Sequence, residues 1–166
     1  MQIRDVTPAD FEAIQAIYAH HVITGTGSFA EEPPTLEDLT RLFSDLLAKH
    51  YPHLVAVDEA GQIMGYCYAG PYKERSAYRF TVEDSIYIHP DFLSRGVGRS
   101  LLDALIRRCA EQGFQQMMAV IGDSENTGSI GLHKSLGFEM IGTARNIGFK
   151  FGRHLDVVYM QKQLGQ

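Results

Sequence analysis

Tryptophan is absent from this sequence, cysteine occurs only twice, and 15 basic side chains stand against 20 acidic ones. General nucleic-acid binding needs a basic surface that neutralises phosphates, so the net charge of −5 argues against it. The apolar runs are too short to cross a membrane, and residues 1–5 lack a signal-peptide pattern. Cys67 and Cys109 lie in apolar segments, which favours buried thiols over a disulfide. These features predict a reduced, cytoplasmic protein without nucleic-acid or membrane partners.

The sequence also gives no sign of a metal site, because its seven histidines show no paired ligand spacing. His20 and His21 are adjacent, so on a helix their side chains diverge by about a hundred degrees and do not readily share an ion. Internal repeats, linkers and low-complexity tracts are missing as well. A hydrophobic content of 45% is ordinary for a globular chain. We therefore predict one domain over residues 1–166, without a bound metal.

What the sequence does contain is a strand, a glycine-rich turn and an amphipathic helix in succession. Val82–Ile88 is predicted as the strand, and Arg95–Gly98 opens a helix with apolar residues at helical spacing. Free N–H groups and the positive end of the helix dipole converge at such a turn, so it suits a phosphate or pyrophosphate. It is not a P-loop, because no Gly-Lys-Ser/Thr follows. Leu101 replaces the third glycine of the dinucleotide fingerprint, which disfavours a nicotinamide enzyme.

The rest of the chain alternates strand and helix patterns. Thr7 and Thr35 are predicted as helix N-caps, and a short fourth helix follows the loop at residues 122–126. Strands are predicted at residues 2–6, 53–57, 63–70, 116–121, 139–147 and 154–163, with residues 148–153 as the loop between the last two. The order β-α-α-β-β-β-α-β-α-β-β predicts an α/β fold, with one mixed sheet and helices on both faces.

This order and three motifs, GPYKERSAY at 70–78, TVEDSIY at 81–87 and GFKFGRHLDV at 148–157, resemble the GNAT N-acetyltransferases. Within that family the chain resembles the phosphinothricin and methionine sulfoximine N-acetyltransferases over nearly its whole length. The family's pyrophosphate loop, Gln/Arg-x-x-Gly-x-Gly/Ala, falls on residues 93–98, with Leu93 in place of Gln or Arg. The resemblance implies the GNAT acyl-CoA N-acyltransferase fold, acetyl-CoA as co-substrate and a homodimer.

The same resemblance implies how acetyl-CoA would bind. Backbone groups of residues 86–88 would hold the pantetheine arm, the amides of the glycine turn would take the pyrophosphate, and an asparagine would lie near the thiol end. The implied cofactor-binding residues are Ile86, Tyr87, Ile88, Ser94, Arg95, Gly96, Val97, Gly98, Arg99, Asn126 and Ser135.

Two residues are predicted to be catalytic. Glu83 is a carboxylate within a β-branched and aromatic strand, where it is costly unless it is used or paired. The resemblance implies that it is the general base, directly or through water, whereas a surface salt bridge is the alternative. Asp84 points to the opposite face, so Glu83 is the preferred base. His133 matches the proton donor to the CoA thiolate, and a packing role is its alternative.

An amino-acid acceptor would present an anion beside its amine. A basic segment before Glu83 suits that anion through charge-assisted hydrogen bonds, although a solvated basic turn is the alternative reading. The predicted acceptor-binding residues are Phe29, as a wall of the site, with Lys73, Arg75, Ser76, Ala77, Tyr78 and Arg79. Lys150 and Arg153 lie in the predicted final loop, from which they would reach a site built across a dimer.

The leading hypothesis is an N-acetyltransferase that acts by direct transfer on the α-amine of a small amino-acid analogue. Phosphinothricin, methionine sulfoximine and methionine sulfone are the first candidate acceptors. Transfer to a polyamine or a protein N-terminus is an alternative, although a cluster of Lys73, Arg75 and Arg79 disfavours a polyamine. A CoA-binding module without catalysis is a further alternative, which retention of both Glu83 and His133 disfavours.

Overall fold

The computed structural model describes residues 1–165. This part of the chain forms one sheet of seven strands with four α-helices. The strands are β1 (Gln2–Asp5), β2 (His53–Val57), β3 (Ile63–Pro71), β4 (Thr81–Ile88), β5 (Gln116–Gly122), β6 (Glu139–Lys150) and β7 (Arg153–Gln163). The α-helices are α1 (Phe11–Thr24), α2 (Leu36–Ala48), α3 (Val97–Glu111) and α4 (Thr127–Ser135). The predicted mixed α/β class and order of elements are confirmed.

The sheet has the spatial order β1-β2-β3-β4-β5-β7-β6, and its central pair, β4 and β5, is parallel. The neighbouring pairs are antiparallel. The β4–β5 ladder contains three residue pairs and ends at Glu83 and Met118. Because β4 runs on to Ile88 and β5 to Gly122, the two strands separate beyond that point. The sheet therefore opens in its middle.

Helices cover both faces of the sheet. On one face, α3 buries Leu101, Leu102 and Leu105 in a core that α4 also contacts. On the other face, α1 and α2 bury a second core that includes Ile14 and Phe43. Thr35 begins α2 as predicted, since its hydroxyl accepts a hydrogen bond from the backbone N–H three residues on. The split between β4 and β5 thus lies between two separate apolar layers.

One predicted loop is instead a tight hairpin. Residues 148–153 were expected to connect the last two strands, but β6 continues to Lys150 and β7 begins at Arg153. Phe151 and Gly152 form the turn with φ of 54° and 73°. Two successive positive φ values match the twist of paired strands, as in two-residue hairpin turns. The prediction of a loop was wrong because glycine and the charged residues around it resemble loop composition.

Within residues 1–165, no three His, Cys, Asp or Glu side chains form a group that could hold a metal ion. None of the helices in that range is long and apolar enough to cross a membrane.

His53 is a buried histidine without hydrogen-bond partners. Its side chain packs against the rings of Phe43, Tyr66 and Tyr68, with a centroid distance of 4.6 Å to Phe43. Only 1% of the residue is exposed, and neither ring nitrogen has a partner among the described residues. Burial disfavours the charged imidazolium and lowers the pKa of His53 from 6.5 to about 4. His53 therefore destabilises the fold in mild acid.

We expect His53→Leu to remove part of the acid sensitivity of folding. Between pH 6.5 and 4 the unfolded chain binds a proton at His53 that the folded chain does not, so stability falls as pH falls. The difference amounts to roughly 3 kcal/mol across that interval. Urea unfolding at pH 7 and pH 4 measures it for the wild type, His53→Leu and the exposed control His154→Leu. Equal pH dependence in wild type and His53→Leu would contradict the assignment.

Candidate active site

A cleft of about 760 Å³ occupies the split between β4 and β5. Residues 83–88 of β4 form one wall and residues 119–122 of β5 form the other. The start of α3 closes one end, while the loop at residues 25–27 and the start of α4 border the rest. Since β5 does not pair with β4 beyond Glu83, one edge of the second half of β4 faces this cleft, while the other edge stays paired with β3.

The start of α3 forms an anion-binding end of the cleft. Gly96 precedes the helix in the left-handed region, with φ of 80°, so glycine suits this position. A Cβ at Gly98 would lie 3.3 Å from Leu132 and 3.8 Å from Ile88, which leaves little space for a side chain. The first N–H groups of α3 and the exposed Arg99 therefore meet at the cleft.

Most of the predicted cofactor residues line this cleft. They are Ile86, Tyr87, Ile88, Ser94, Gly96, Val97, Gly98, Arg99 and Asn126. Arg95 and Ser135 lie outside it: the Arg95 guanidinium stacks 5.5 Å from the Phe92 ring centroid, and the Ser135 hydroxyl accepts a hydrogen bond from Arg99 at 2.9 Å. Ser135 thus positions Arg99 at the edge of the cleft.

Asn126 begins α4. Its Oδ1 accepts from the Ser129 N–H at 3.2 Å, and its Nδ2 donates to the Gly122 carbonyl oxygen at 3.0 Å. These bonds fix the start of α4 against the end of β5. Asn126 therefore shapes the cleft as well as lining it.

Glu83 is the last residue of β4 that pairs with β5, and the split between the two strands begins there. Its side chain is half-buried, and burial, with a smaller contribution from the neighbouring Asp84, raises the pKa of the Glu83 carboxyl. Among the described residues it has no ion pair or side-chain hydrogen bond, although Arg4–Asp10 and other pairs are formed elsewhere. The surface salt bridge that was the alternative reading is therefore not observed.

Asp84 and His133 form a buried pair on the opposite face of β4. The Asp84 Oδ2 atom lies 2.8 Å from His133 Nε2, and both side chains are almost fully buried. The other ring nitrogen, Nδ1, lies 2.7 Å from the Ser129 carbonyl oxygen. Burial alone would lower the pKa of His133, but the charge and hydrogen bond of Asp84 raise it overall. This pair was not predicted, although strand alternation placed Asp84 on that face.

The loop at residues 25–29 is bound to the rest of its own chain by Lys150. This buried ammonium donates to the carbonyl oxygens of Gly25, at 2.8 Å, and Ser28, at 2.7 Å. Thr26 Oγ1 also donates to Asp123 Oδ2 at 2.8 Å. The expectation that Lys150 reaches across a dimer was therefore wrong, because these contacts lie within one chain. Arg153 does line the cleft.

Phe29 packs behind the cleft and does not line it. Its ring fills a slot over the backbone of Gly122 and Gly148, where a Cβ at either glycine would overlap the ring. That Phe29 forms a wall of the acceptor site stays a prediction. It anchors the loop whose residues Gly25 and Thr26 line the cleft.

The predicted acceptor residues of the basic segment are exposed and do not line the cleft of their own chain. Lys73, Arg75, Ser76, Ala77, Tyr78 and Arg79 all belong to this set. The Lys73 ammonium lies 5.5 Å from the Tyr78 ring centroid, and Arg79 donates to the Ser76 carbonyl oxygen at 2.9 Å. Within one chain, none of them lines the cleft to which Glu83 belongs.

Sequence analysis missed His21 and Asp123 as cleft residues. The His21 Nε2 atom donates a hydrogen bond to the Ile88 carbonyl oxygen at the end of β4, at a distance of 2.6 Å. Asp123 is buried and accepts the hydrogen bond from Thr26, with Arg153 at 3.7 Å. Both depend on contacts between segments about 70 to 100 residues apart. No local pattern signals such contacts.

A split strand pair, an anion-binding helix start and a flanking carboxylate together suit an enzyme that transfers an acyl group from a phosphate-bearing donor. The family model for the acetyltransferase (GNAT) domain matches residues 3–159. A phosphinothricin N-acetyltransferase from Alcaligenes faecalis is 49% identical over 98% of this chain and 82% of the relative. L-methionine sulfoximine/L-methionine sulfone acetyltransferase from Pseudomonas aeruginosa is 42% identical over 98% of this chain and 94% of the relative.

A solved structure shows the same fold. It is a phosphinothricin acetyltransferase from Sinorhizobium meliloti in complex with AcCoA, with a TM-score of 0.96 and 43% identity, and the match covers 99% of this chain and 88% of that one. The chain therefore belongs to the GNAT acetyltransferase family, in the branch of the phosphinothricin and methionine sulfoximine N-acetyltransferases. The predicted family is confirmed. Enzymes of this family use acetyl-CoA as co-substrate.

The residues of the cleft fit acetyl-CoA. The pyrophosphate would meet the first N–H groups of α3 and Arg99, and nothing lies within 4 Å of a Cβ built at Gly96, which leaves the backbone of the turn accessible. The pantetheine arm carries amides, which suit the backbone of β4 where β5 has separated from it. Leu93 lines the cleft and is 52% exposed, so its replacement of Gln or Arg leaves the backbone amides available.

We expect Gly148→Ala to displace Phe29 and release the loop at residues 25–29. The added Cβ would overlap the ring, so the free energy of unfolding should fall by about 1–3 kcal/mol and the loop should become sensitive to protease. Gly142→Ala is the matched control on β6, because nothing lies within 4 Å of a Cβ there. Phe29→Leu should partly restore Gly148→Ala. If Gly148→Ala and Gly142→Ala had the same stability and the same sensitivity to protease, the packing of Phe29 against Gly148 would be refuted.

Proposed function

We propose that the protein acetylates the α-amine of a small amino-acid analogue, with acetyl-CoA as donor and Glu83 as general base. Phosphinothricin, methionine sulfoximine and methionine sulfone are the proposed acceptors, because relatives that match nearly the whole chain are named for them. The observation that carries the proposal is Glu83, a half-buried carboxylate without an ion-pair partner in residues 1–165, at the point where the cleft begins.

Glu83 meets the requirements of a base for this reaction. An α-amine is mostly ammonium at neutral pH, so it must lose a proton before it attacks. Burial raises the pKa of Glu83, which makes the carboxylate a stronger proton acceptor than an exposed glutamate. Activity should therefore fall as pH decreases through this raised pKa, because the protonated carboxyl accepts no proton.

Glu83 and His133 would act from opposite sides of the split. Glu83 shares its face of β4 with Tyr87, which packs against the layer of α1 and α2. Asp84 faces the other layer and holds His133 of α4. An acceptor beside α1 and α2 and a leaving thiolate beside α4 would thus meet through the split. We propose His133 as the source of the proton for that thiolate.

In a homodimer, the basic segment at residues 73–79 of one subunit would contribute to the cleft of the other subunit. β6 ends the sheet, and it carries the exposed apolar residues Ile141, Ile147 and Phe149. Their exposed fractions of 56% to 60% are unusual for such side chains and suit contact with a second copy. Lys73 and Arg75 do not line their own cleft, so we propose that they bind the acceptor anion in the partner's cleft.

CoA release, followed with a thiol reagent, tests the function. Purified protein and acetyl-CoA are combined with phosphinothricin, methionine sulfoximine, methionine sulfone or spermidine. Turnover with the first three and none with spermidine is expected, since the proposed acceptor site binds an anion. Turnover with spermidine alone would favour a polyamine enzyme. Binding of acetyl-CoA without turnover of any acceptor would remove the substrate assignment.

We expect Glu83→Gln to lower kcat by about 10²–10⁴-fold, because the amide accepts no proton from the ammonium. The dissociation constant of acetyl-CoA, measured by calorimetry, should change by less than about twofold, since the anion-binding end is untouched. Glu111→Gln, an exposed change at the end of α3, is the matched control. An unchanged kcat in Glu83→Gln would exclude this base.

We expect Arg75→Ala to raise the KM for the acceptor by about 10–100-fold, through loss of a charge-assisted hydrogen bond, with acetyl-CoA binding preserved. Arg41→Ala on α2 is the exposed control. Co-expression of Arg75→Ala with Glu83→Gln tests sharing of the site. A mixed dimer would contain one site with both native residues and regain activity. Failure to regain it, with mixed dimers demonstrated, would place both residues in the same subunit's site.

A further inference from the structure

The buried pair of Asp84 and His133 contains a proton whose place follows from geometry. The Ser129 carbonyl oxygen, 2.7 Å from His133 Nδ1, can only accept a hydrogen bond. Nδ1 therefore carries a hydrogen. His133 Nε2 and Asp84 Oδ2 are 2.8 Å apart, and two lone pairs would repel at that distance. One further proton must lie between these two atoms.

The surroundings favour that proton on the imidazole. His133 is 2% exposed, and Asp84 has no other ion-pair partner among residues 1–165. Its Oδ1 atom is buried without a hydrogen-bond partner, so the carboxylate charge is balanced by His133. A buried carboxylate stabilises an imidazolium strongly, because removal of either charge would leave the other uncompensated.

Among residues 1–165, no other titratable group nearby takes the place of Asp84 or His133 in this ion pair. Glu83 lies on the other face of β4, and the buried thiols of Cys67 and Cys109 have raised pKa values from burial and from Asp84. Other ionisable groups close by along the chain or around the cleft are His21, Tyr87, Arg99, Asp123, Glu125, Lys134 and Arg153. None of these forms an ion pair with Asp84 in residues 1–165.

We propose that Asp84 is a positioning residue that keeps His133 doubly protonated and oriented, so that the pair supplies the proton to the departing CoA sulfur. This rests on the proposed acetyl transfer. As the C–N bond forms, the C–S bond breaks and its electron pair goes to sulfur. The proton between Nε2 and Oδ2 passes to that sulfur and forms S–H. His133 becomes neutral, with its remaining hydrogen on Nδ1, and Asp84 stays a carboxylate. The lone pairs of Nε2 and Oδ2 then repel each other, so the imidazole takes up a proton from solvent before the next turnover. The proton of the ammonium has gone to Glu83.

The cleft gives this transfer a short path. Asp84, Ser129 and His133 all line the cleft, although the pair is almost fully buried. Asp84 acts through His133, since the carboxylate itself carries no proton to give. Replacement of Asp84 by asparagine keeps the shape but removes the charge, and burial then favours a neutral imidazole.

The first experiment needs no substrate. Ring ¹⁵N chemical shifts of His133 in the free protein report whether each nitrogen carries a hydrogen. We expect both nitrogens protonated from pH 6 to 8 in the wild type, and Nε2 deprotonated at pH 7 in Asp84→Asn. An unprotonated Nε2 in the wild type, or the same titration in both proteins, would overturn the proposal. The wild-type spectrum is decisive even where the variant fails to fold.

The second experiment measures kcat against pH with whichever acceptor is turned over. Asp84→Asn should lower kcat at pH 8 at least tenfold and move the basic limb of the profile down by at least one pH unit. The KM for acetyl-CoA should stay within twofold. The double variant Asp84→Asn/His133→Gln should lose no more than His133→Gln alone, because the pair acts as a unit.

Asp10→Asn is the matched control, since Asp10 is also a buried, ion-paired carboxylate but lies beside Arg4. It should lower stability without moving the pH profile. If Asp84→Asn behaves like Asp10→Asn, the role of Asp84 is structural and the proposal falls. If no acceptor is turned over, the proposed substrates fail, whereas the ¹⁵N shifts still decide the state of the pair.

Discussion

The early end of the β4–β5 ladder is the constraint on which the rest of this structure depends. Parallel strands normally satisfy each other's backbone groups along their length, but here only three residue pairs form before the strands separate. The separation leaves polar backbone inside the protein, which is costly without a partner. His21 donates a hydrogen bond to the Ile88 carbonyl oxygen at the C-terminal end of β4. The other backbone groups on this edge of β4 are those that fit the amides of acetyl-CoA. The site is therefore a gap in the sheet.

Buried polar side chains keep that gap in shape. Lys150 binds two carbonyl oxygens of the loop at residues 25–28, and Asp84 holds His133 of α4 against β4. Each charge has at least one hydrogen-bond partner, which offsets part of its desolvation, although Asp84 Oδ1 has none among the described residues. His53 is the contrast, because it is equally buried without a partner. Asp84 and His133 line the cleft and Lys150 binds the loop that borders it, whereas His53 lies among the rings of Phe43, Tyr66 and Tyr68.

Much of the fold could be predicted from the sequence because its signals are local. The cap at Thr35, the apolar spacing of α3 and the glycine turn each depend on neighbouring residues. The predicted cap at Thr7 was wrong for α1, because Thr7 precedes a 3-10 turn and Asp10 stands at the N-cap of that helix. Glu83 stood out because a carboxylate is unusual in such a strand. The hairpin at Phe151 and Gly152 was mistaken for a longer loop because positive φ at a phenylalanine has no clear composition signal. The family resemblance supplied the cofactor residues, most of which line the cleft.

The sequence by itself determined the order of elements, the anion-binding helix start, the carboxylate candidate Glu83 and the family. Only the tertiary structure decided which polar residues meet. Asp84 and His133 are 49 positions apart, and Lys150 lies 122 positions from Ser28. It also placed Phe29 behind the cleft and left the segment with Lys73 at the surface. Periodicity and capping are set within one or two helical turns, whereas these contacts depend on how distant segments pack.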